Sequence, residues 1–133
     1  MLFNNMNADQ ILKNAKSILL VDWPGESVPA ALIKAGFTVY SYSPAKYSRA
    51  QFDETGALVF LDIDGAPQTV DIVNIFRPES EHPAIIKEHV LPLKASVLWV
   101  HPPVTSQLTA ELAHNYGLTF VEGINIADVA AKL

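Results

Sequence analysis

The sequence predicts an α/β domain: a three-layer α/β/α sandwich around a mostly parallel sheet of about five strands. Three observations carry that prediction. Short β-branched runs alternate along the chain with segments of helical period. Glycine or proline stands at most junctions between the two kinds of segment. The run Thr69-Val-Asp-Ile-Val-Asn-Ile-Phe-Arg-Pro78 reads as a strand buried on both faces, as a parallel sheet between helix layers requires.

The elements follow in order. Asn7 is placed to cap a short first helix, with Gln10 at capping-box spacing and Ile11, Leu12 and Ala15 as its apolar side. Ser17 to Val21 is a short apolar strand, and Asp22-Trp-Pro-Gly-Glu-Ser27 is the loop that leaves it. Val28, Ala31, Leu32 and Ala35 repeat at helical spacing, and Gly36 stands where a helix-ending glycine belongs. Phe37 to Tyr42 is the next strand, whereas Ser43 to Gly56 has no period and reads as loop. Leu58 to Ile63 reads as an edge strand, with Asp62 and Asp64 turned to solvent where they discourage sheet-to-sheet association. The buried run beginning at Val70 stops at Arg77 or just before it, because Pro78 cannot continue a ladder.

A second amphipathic helix starts near Pro83, with Ile85, Ile86, His89, Val90 and Leu93 on one face and Pro92 at its end. Ser96 to Val100 is another buried strand, leaving through His101-Pro-Pro103. Thr105 is placed to cap a helix carrying Leu108, Leu112 and Tyr116, closed by Gly117. Leu118 to Val121 is the last strand, and Asn125 caps a short terminal helix. Right-handed crossovers leave few ways to join these pieces. A doubly wound sheet of Rossmann type, strand order 3-2-1-4-5, fits best, and flavodoxin-like order is the alternative.

Composition narrows the function. The 133 residues fit one domain, residues 1–133, with its core at about residues 8–124. Half the residues are hydrophobic (50%), which excludes a disordered tail. The net charge is −5 and the basic residues are scattered, so no footprint for nucleic acid exists. Cysteine is absent, which removes disulfide scaffolds, thiol nucleophiles and thiolate metal sites together. Ile18 to Val21 is too short an apolar run to span a bilayer, and Met1 to Asn7 lacks the basic start and apolar stretch of a signal peptide. The expectation is a soluble cytoplasmic protein without membrane or nucleic-acid partners.

The chemistry concentrates at Arg77. In an open α/β sheet the carboxyl ends of the strands form the ligand crevice, and a guanidinium there can grip a phosphate or carboxylate with paired hydrogen bonds. The alternative is an arginine bound to a nearby acid at the sheet edge. The four histidines, His82, His89, His101 and His114, lack the short spacing of a zinc site and read as surface or capping residues. His101 alone has the position of a general base. Neither a nucleophile elbow nor a Gly-x-x-x-x-Gly-Lys phosphate loop occurs. Trp23 stands where it could stack on a ligand ring, but beside a proline it reads rather as a plug of the crevice.

Four stretches resemble a known family. They are Ile11-Leu-Lys-Asn-Ala-Lys-Ser-Ile-Leu-Leu-Val21, Ala35-Gly-Phe-Thr-Val-Tyr-Ser-Tyr-Ser-Pro-Ala-Lys-Tyr47, Val70-Asp-Ile-Val-Asn-Ile-Phe-Arg-Pro78 and Ala110-Glu-Leu-Ala-His-Asn-Tyr-Gly-Leu-Thr-Phe-Val121. Together they look like the small bacterial CoA-binding domain proteins, stand-alone relatives of the CoA-binding domain of succinyl-CoA synthetase. The third stretch carries most of the likeness, to that family's "VDIVDIFRRP" strand. The resemblance implies non-catalytic binding of CoA, acyl-CoA or a related adenine nucleotide across the strand ends. By matching position it implies the loop Asp22, Trp23, Pro24, Gly25, Glu26 and Ser27 around the phosphates. Ser43, Pro44 and Lys46 would lie beside adenine and ribose, and Phe76, Arg77 and Pro78 would line the pocket. His101 and Pro102 stand in place of the family's usual glutamine-leucine-glycine.

The chain departs from that pattern in its first loop. The fingerprint wants glycine at three places, which here are Asp22, Pro24 and Ser27. Asp22 and Glu26 put two carboxylates where a helix N-terminus would attract an anion, and they are expected to satisfy that helix end themselves. The dipole offers about 0.3–1 kcal/mol, whereas like charges ~4 Å apart near a surface oppose each other by about 4 kcal/mol before screening. Repulsion of a diphosphate wins unless Arg77, Lys46 or a metal ion compensates. The acidic segment Glu122 to Asp128 also replaces a basic, often cysteine-containing family terminus. The rival expectation is therefore a relative that has lost CoA binding and acts as a homo-oligomer, such as a homodimer, or as a protein-interaction module.

Overall fold

The computed structural model describes residues 2–43 and 45–133, the side chains of 2–7 apart. Seven strands form one sheet in the order β4-β3-β2-β1-β5-β6-β7. They are β1 (Ser17–Val21), β2 (Thr38–Tyr42), β3 (Tyr47–Phe52), β4 (Leu58–Asp62), β5 (Ile72–Ile75), β6 (Val97–Val100) and β7 (Thr119–Glu122). β2, β1, β5, β6 and β7 pair in parallel, while β3 runs against both β2 and β4. The expected Rossmann order survives, and the expected strand count is too low. Residues read as loop between Ser43 and Gly56 supply β3, inserted between the second strand and the edge. Its Tyr-Ser-Arg-Ala-Gln-Phe sequence mixes polar and apolar residues with no deep apolar run, because only Ser48 and Ala50 are buried.

Period-2 alternation divides the strands between two cores. Ile18 and Leu20 of β1 join a cluster with Leu12, Leu32, Trp99 and Ile126, under α1 (Leu2–Lys13), α2 (Ser27–Lys34) and α5 (Ile126–Ala131). Leu19 and Val21 join Val73, Ile75, Ile86, Val90 and Ala113 on the opposite face, under α3 (His82–Ile85) and α4 (Gln107–Asn115). Trp99 is fully buried and its indole N–H donates to the Ile124 carbonyl at 2.8 Å, so its one polar atom costs nothing to bury. The Asp71 carboxylate accepts from the amides of Lys16 (2.7 Å) and Ser17 (3.1 Å), pinning the start of β1 beside β5.

Helix ends agree with the sequence in part. Gly36 adopts φ +101° just past α2, a conformation that favours glycine, and Asn125 caps α5 by accepting from Ala127. α4 is capped by Ser106, not Thr105: the Ser106 hydroxyl accepts from the Thr109 amide. α1 begins at Leu2, ahead of the expected Asn7 cap, whose side chain lies outside the described ones. α3 (His82–Ile85) widens into a π-helical turn at Ile86–Val90, where Leu91 N–H reaches the Ile86 carbonyl. Pro92 explains the widening. It lacks the N–H that would bond to the Glu88 carbonyl, and its ring crowds that carbonyl in an ordinary α turn.

Candidate functional site

A cavity of about 480 Å³ opens at the carboxyl ends of β1, β2 and β5, against α3. This is where an open α/β sheet places its ligands. Val21, Ala84 and Ile85 give it apolar wall, and its two ends differ in chemistry.

One end is charged. The 3-10 turn Glu79–Glu81 after β5 brings Glu81 back beside Arg77. Arg77 Nε donates to Glu81 Oε1 at 2.9 Å and Nη2 to Oε2 at 2.8 Å, a bidentate fork. Arg77 Nη1 donates to Asp22 Oδ2 at 3.0 Å. Glu81 first, then Asp22, raises the Arg77 pKa above its ordinary value, and Arg77 in turn lowers that of Glu81. Arg77 is also fixed through its backbone. His82 Nε2–H donates to its carbonyl at 2.9 Å, and His82 Nδ1 is hydrogen-bonded to the Thr109 hydroxyl at 2.7 Å.

Asp22 sits at φ +62°, in the left-handed region that favours glycine. Its Oδ1 accepts the N–H of Trp23 at 3.0 Å, the local hydrogen bond that lets Asp tolerate this conformation. One carboxylate therefore takes both a backbone amide and a guanidinium.

The other end is aromatic. Tyr42 and Tyr47 are cross-strand partners on β2 and β3, and the His89 ring lies 4.2 Å from that of Tyr42. The Tyr47 hydroxyl is hydrogen-bonded to His89 Nδ1. Burial pushes the His89 pKa down, against the opposing Glu88 charge, and burial pushes the Tyr47 pKa up. Both shifts favour neutral rings, joined through one Nδ1–hydroxyl hydrogen bond. The π turn of α3 places Glu88 and His89 on the cavity wall.

Of the residues expected in the site, Asp22, Ser43 and Arg77 line this cavity. The structure brings Arg77 to acids rather than leaving it free, the alternative raised from sequence. Trp23 does not plug the cavity: it stacks on Phe60 (5.2 Å, 21°) against the α1/α2/α5 core. Pro24, Gly25, Glu26 and Ser27 are exposed, and Glu26 makes no side-chain cap, so the acids do not satisfy the α2 end as expected. Lys46 pairs with Asp62 at 3.0 Å on the sheet edge, away from the cavity. Pro44 lies outside the described residues. Pro78 is exposed ahead of the 3-10 turn, and Pro102 joins Pro103 through a cis peptide.

Phe76 and His101 meet edge to face (5.7 Å, 89°), and His101 lies within hydrogen-bond reach of Asn74 (3.3 Å). Burial lowers the His101 pKa. His82, His89 and His101 are buried, correcting their reading as surface or capping residues; His114 is exposed. Among the described residues, no group of three or more His, Cys, Asp or Glu could hold a metal ion.

Sequence reasoning missed Tyr42, Glu81, Glu88 and His89 as site residues. Arg77 and Glu81 are four residues apart, but they meet through a 3-10 turn after Pro78 and not along one helix face, so the spacing alone carries no signal. Tyr47 is hidden in the sequence because β3 has no clear period.

The profile of the CoA binding domain matches residues 20–126. The chain belongs to the CoA-binding domain family. That span holds both ends of the cavity. No curated protein matches the sequence. Among solved structures, a protein described as cell-free ID.343 from Thermus thermophilus has 20% identity and TM-score 0.71, covering 97% of this chain and 98% of its own. A hypothetical protein from Pyrococcus horikoshii OT3 has 16% identity and TM-score 0.67, covering 97% and 91%. A protein described as redesigned for binding has 18% identity and TM-score 0.72, again covering 97% and 91%. These likenesses show the fold of this CoA-binding domain chain. No helix among its described residues is long and apolar enough to cross a membrane.

Proposed function

We propose that this cytoplasmic protein binds CoA, an acyl-CoA or a related adenine nucleotide at the carboxyl ends of its parallel strands and holds it without turnover. One observation carries the reading. The cavity lies at the strand ends of β1, β2 and β5, within the span that matches the CoA binding domain. Tyr42 and Ser43 would border the adenine and ribose, the Asp22 to Ser27 backbone would flank the diphosphate, and Arg77 would supply a cation if it exchanged a carboxylate for a phosphate. Calorimetry and thermal melting with millimolar CoA test this. Heat of binding and a rise in melting temperature are expected, and neither at saturating ligand removes the proposal.

A second reading has its own support. Arg77 spends three donors on Asp22 and Glu81. On that reading tight CoA binding is lost, and the domain works as a homodimer or a protein-interaction module. It predicts CoA affinity in an Asp22→Gly, Glu26→Ser variant that the parent lacks. Tight binding by the parent ends it.

A further inference from the structure

We infer that Asp22 is the specificity-determining residue of the crevice: its carboxylate occupies the place of a ligand phosphate, so the crevice prefers adenine ligands that carry no diphosphate there. The inference rests on the adenine-ligand reading above and departs from it on charge: CoA and other diphosphates bind more weakly than an adenine nucleoside.

Three features of one turn converge. The backbone at Asp22 is left-handed, so the turn has the shape a glycine would allow. The next amide, Trp23 N–H, points at Asp22 Oδ1 (3.0 Å). The Arg77 guanidinium reaches Oδ2 of the same group (3.0 Å). A backbone amide beside a left-handed residue and a guanidinium at a strand end are the donors that together receive an anion. Here they receive one that is covalently part of the chain. A bound carboxylate is present at every instant, whereas a free anion must arrive, displace it and leave its charge nearby.

The rest of the cavity does not restore an appetite for polyanions. Glu81 takes the remaining face of the Arg77 fork, and Glu88 adds a further acid at the aromatic end. Three carboxylates and one guanidinium thus line the cavity, while the Tyr42 and His89 rings and the Ser43 and Ser80 side chains remain for an uncharged, flat, hydrogen-bonding group. An adenine nucleoside has that chemistry.

The test is calorimetry of adenosine and ADP with the full chain and with Asp22→Gly and Asp22→Asn, each checked for an intact melting transition. The parent is expected to bind adenosine at least tenfold more tightly than ADP. Asp22→Gly should tighten ADP at least tenfold relative to adenosine. Asp22→Asn keeps a side chain suited to the left-handed turn and removes the charge, so its gain for ADP should be intermediate. ADP binding that appears only in the variants also supports the assignment. If the parent binds ADP as well as adenosine, or Asp22→Asn behaves as the parent does, the inference is overturned while the adenine reading stands. If no protein of the three binds either ligand, the adenine reading itself fails.

Discussion

The two ends of the cavity solve the same problem, polar groups beside a sheet, in opposite ways. At the charged end, Arg77, Glu81 and Asp22 hold one another while 32–43% of each side chain stays in contact with water. At the aromatic end, His89 is almost fully buried between Tyr42 and Tyr47, and both His89 and Tyr47 are kept neutral. Exposed ion pairs contribute about 0–1 kcal/mol, because water and salt compete for both charges. A buried ring whose nitrogen is paired contributes through packing and cannot be removed without leaving a void and an unpaired hydroxyl. The difference teaches that the charged end can be rearranged by a ligand and the aromatic end cannot.

His89→Ala should break the comparison most severely. Loss of the ring and of the Tyr47 partner should cost about 2–4 kcal/mol, read as a lower urea midpoint at unchanged slope. A cost comparable to that of an exposed pair would show that the aromatic end is not a packed unit.

Next in size is pH. His89, facing Tyr42, Tyr47 and Glu88, and His101, facing Asn74, Phe76 and Asp128, are both lowered from 6.5 by burial. Below 6.5 the unfolded chain binds protons that the folded chain refuses, so stability falls as the pH drops toward the folded values. The melting temperature should therefore decline between about pH 7 and pH 5, and His89→Gln with His101→Gln should flatten that decline. A parent profile without slope would contradict the buried neutral state.

Tyr47→Phe leaves His89 Nδ1 without its hydrogen-bond partner and should cost about 1 kcal/mol. Smallest is Glu81→Gln at the charged end, at about 0–1 kcal/mol and vanishing as salt is raised to ~1 M. If Glu81→Gln proved costlier than Tyr47→Phe, the ranking of the two ends would be inverted.

The sequence conveyed the parallel core because β1, β5 and β6 are apolar on both faces and their helices repeat cleanly. β3 escaped because an antiparallel strand near an edge buries only alternate residues and here carries Arg49 and Gln51 between them. Asp22 was legible as a glycine position, and the left-handed φ agrees. What could not be read was reciprocity. Arg77 was visible as a cation at a strand end, but its partner Glu81 arrives through a 3-10 turn after a proline, and turn geometry decides which side chain folds back. The aromatic end was illegible for a related reason: Tyr42, Tyr47 and His89 come from three elements and meet only through sheet register and helix phase.

The widened turn at Ile86–Val90 has a consequence for how such chains can change length. Each residue advances an α-helix by about 100°, and the turn at Ile86–Val90 carries one residue more than ordinary winding needs. A length change of one residue there is absorbed as a widened or a regular turn, so the segment before it keeps its face toward the sheet. Only the wall supplied by Glu88 and His89 is redrawn, and relatives should be aligned there by helix phase rather than by residue count.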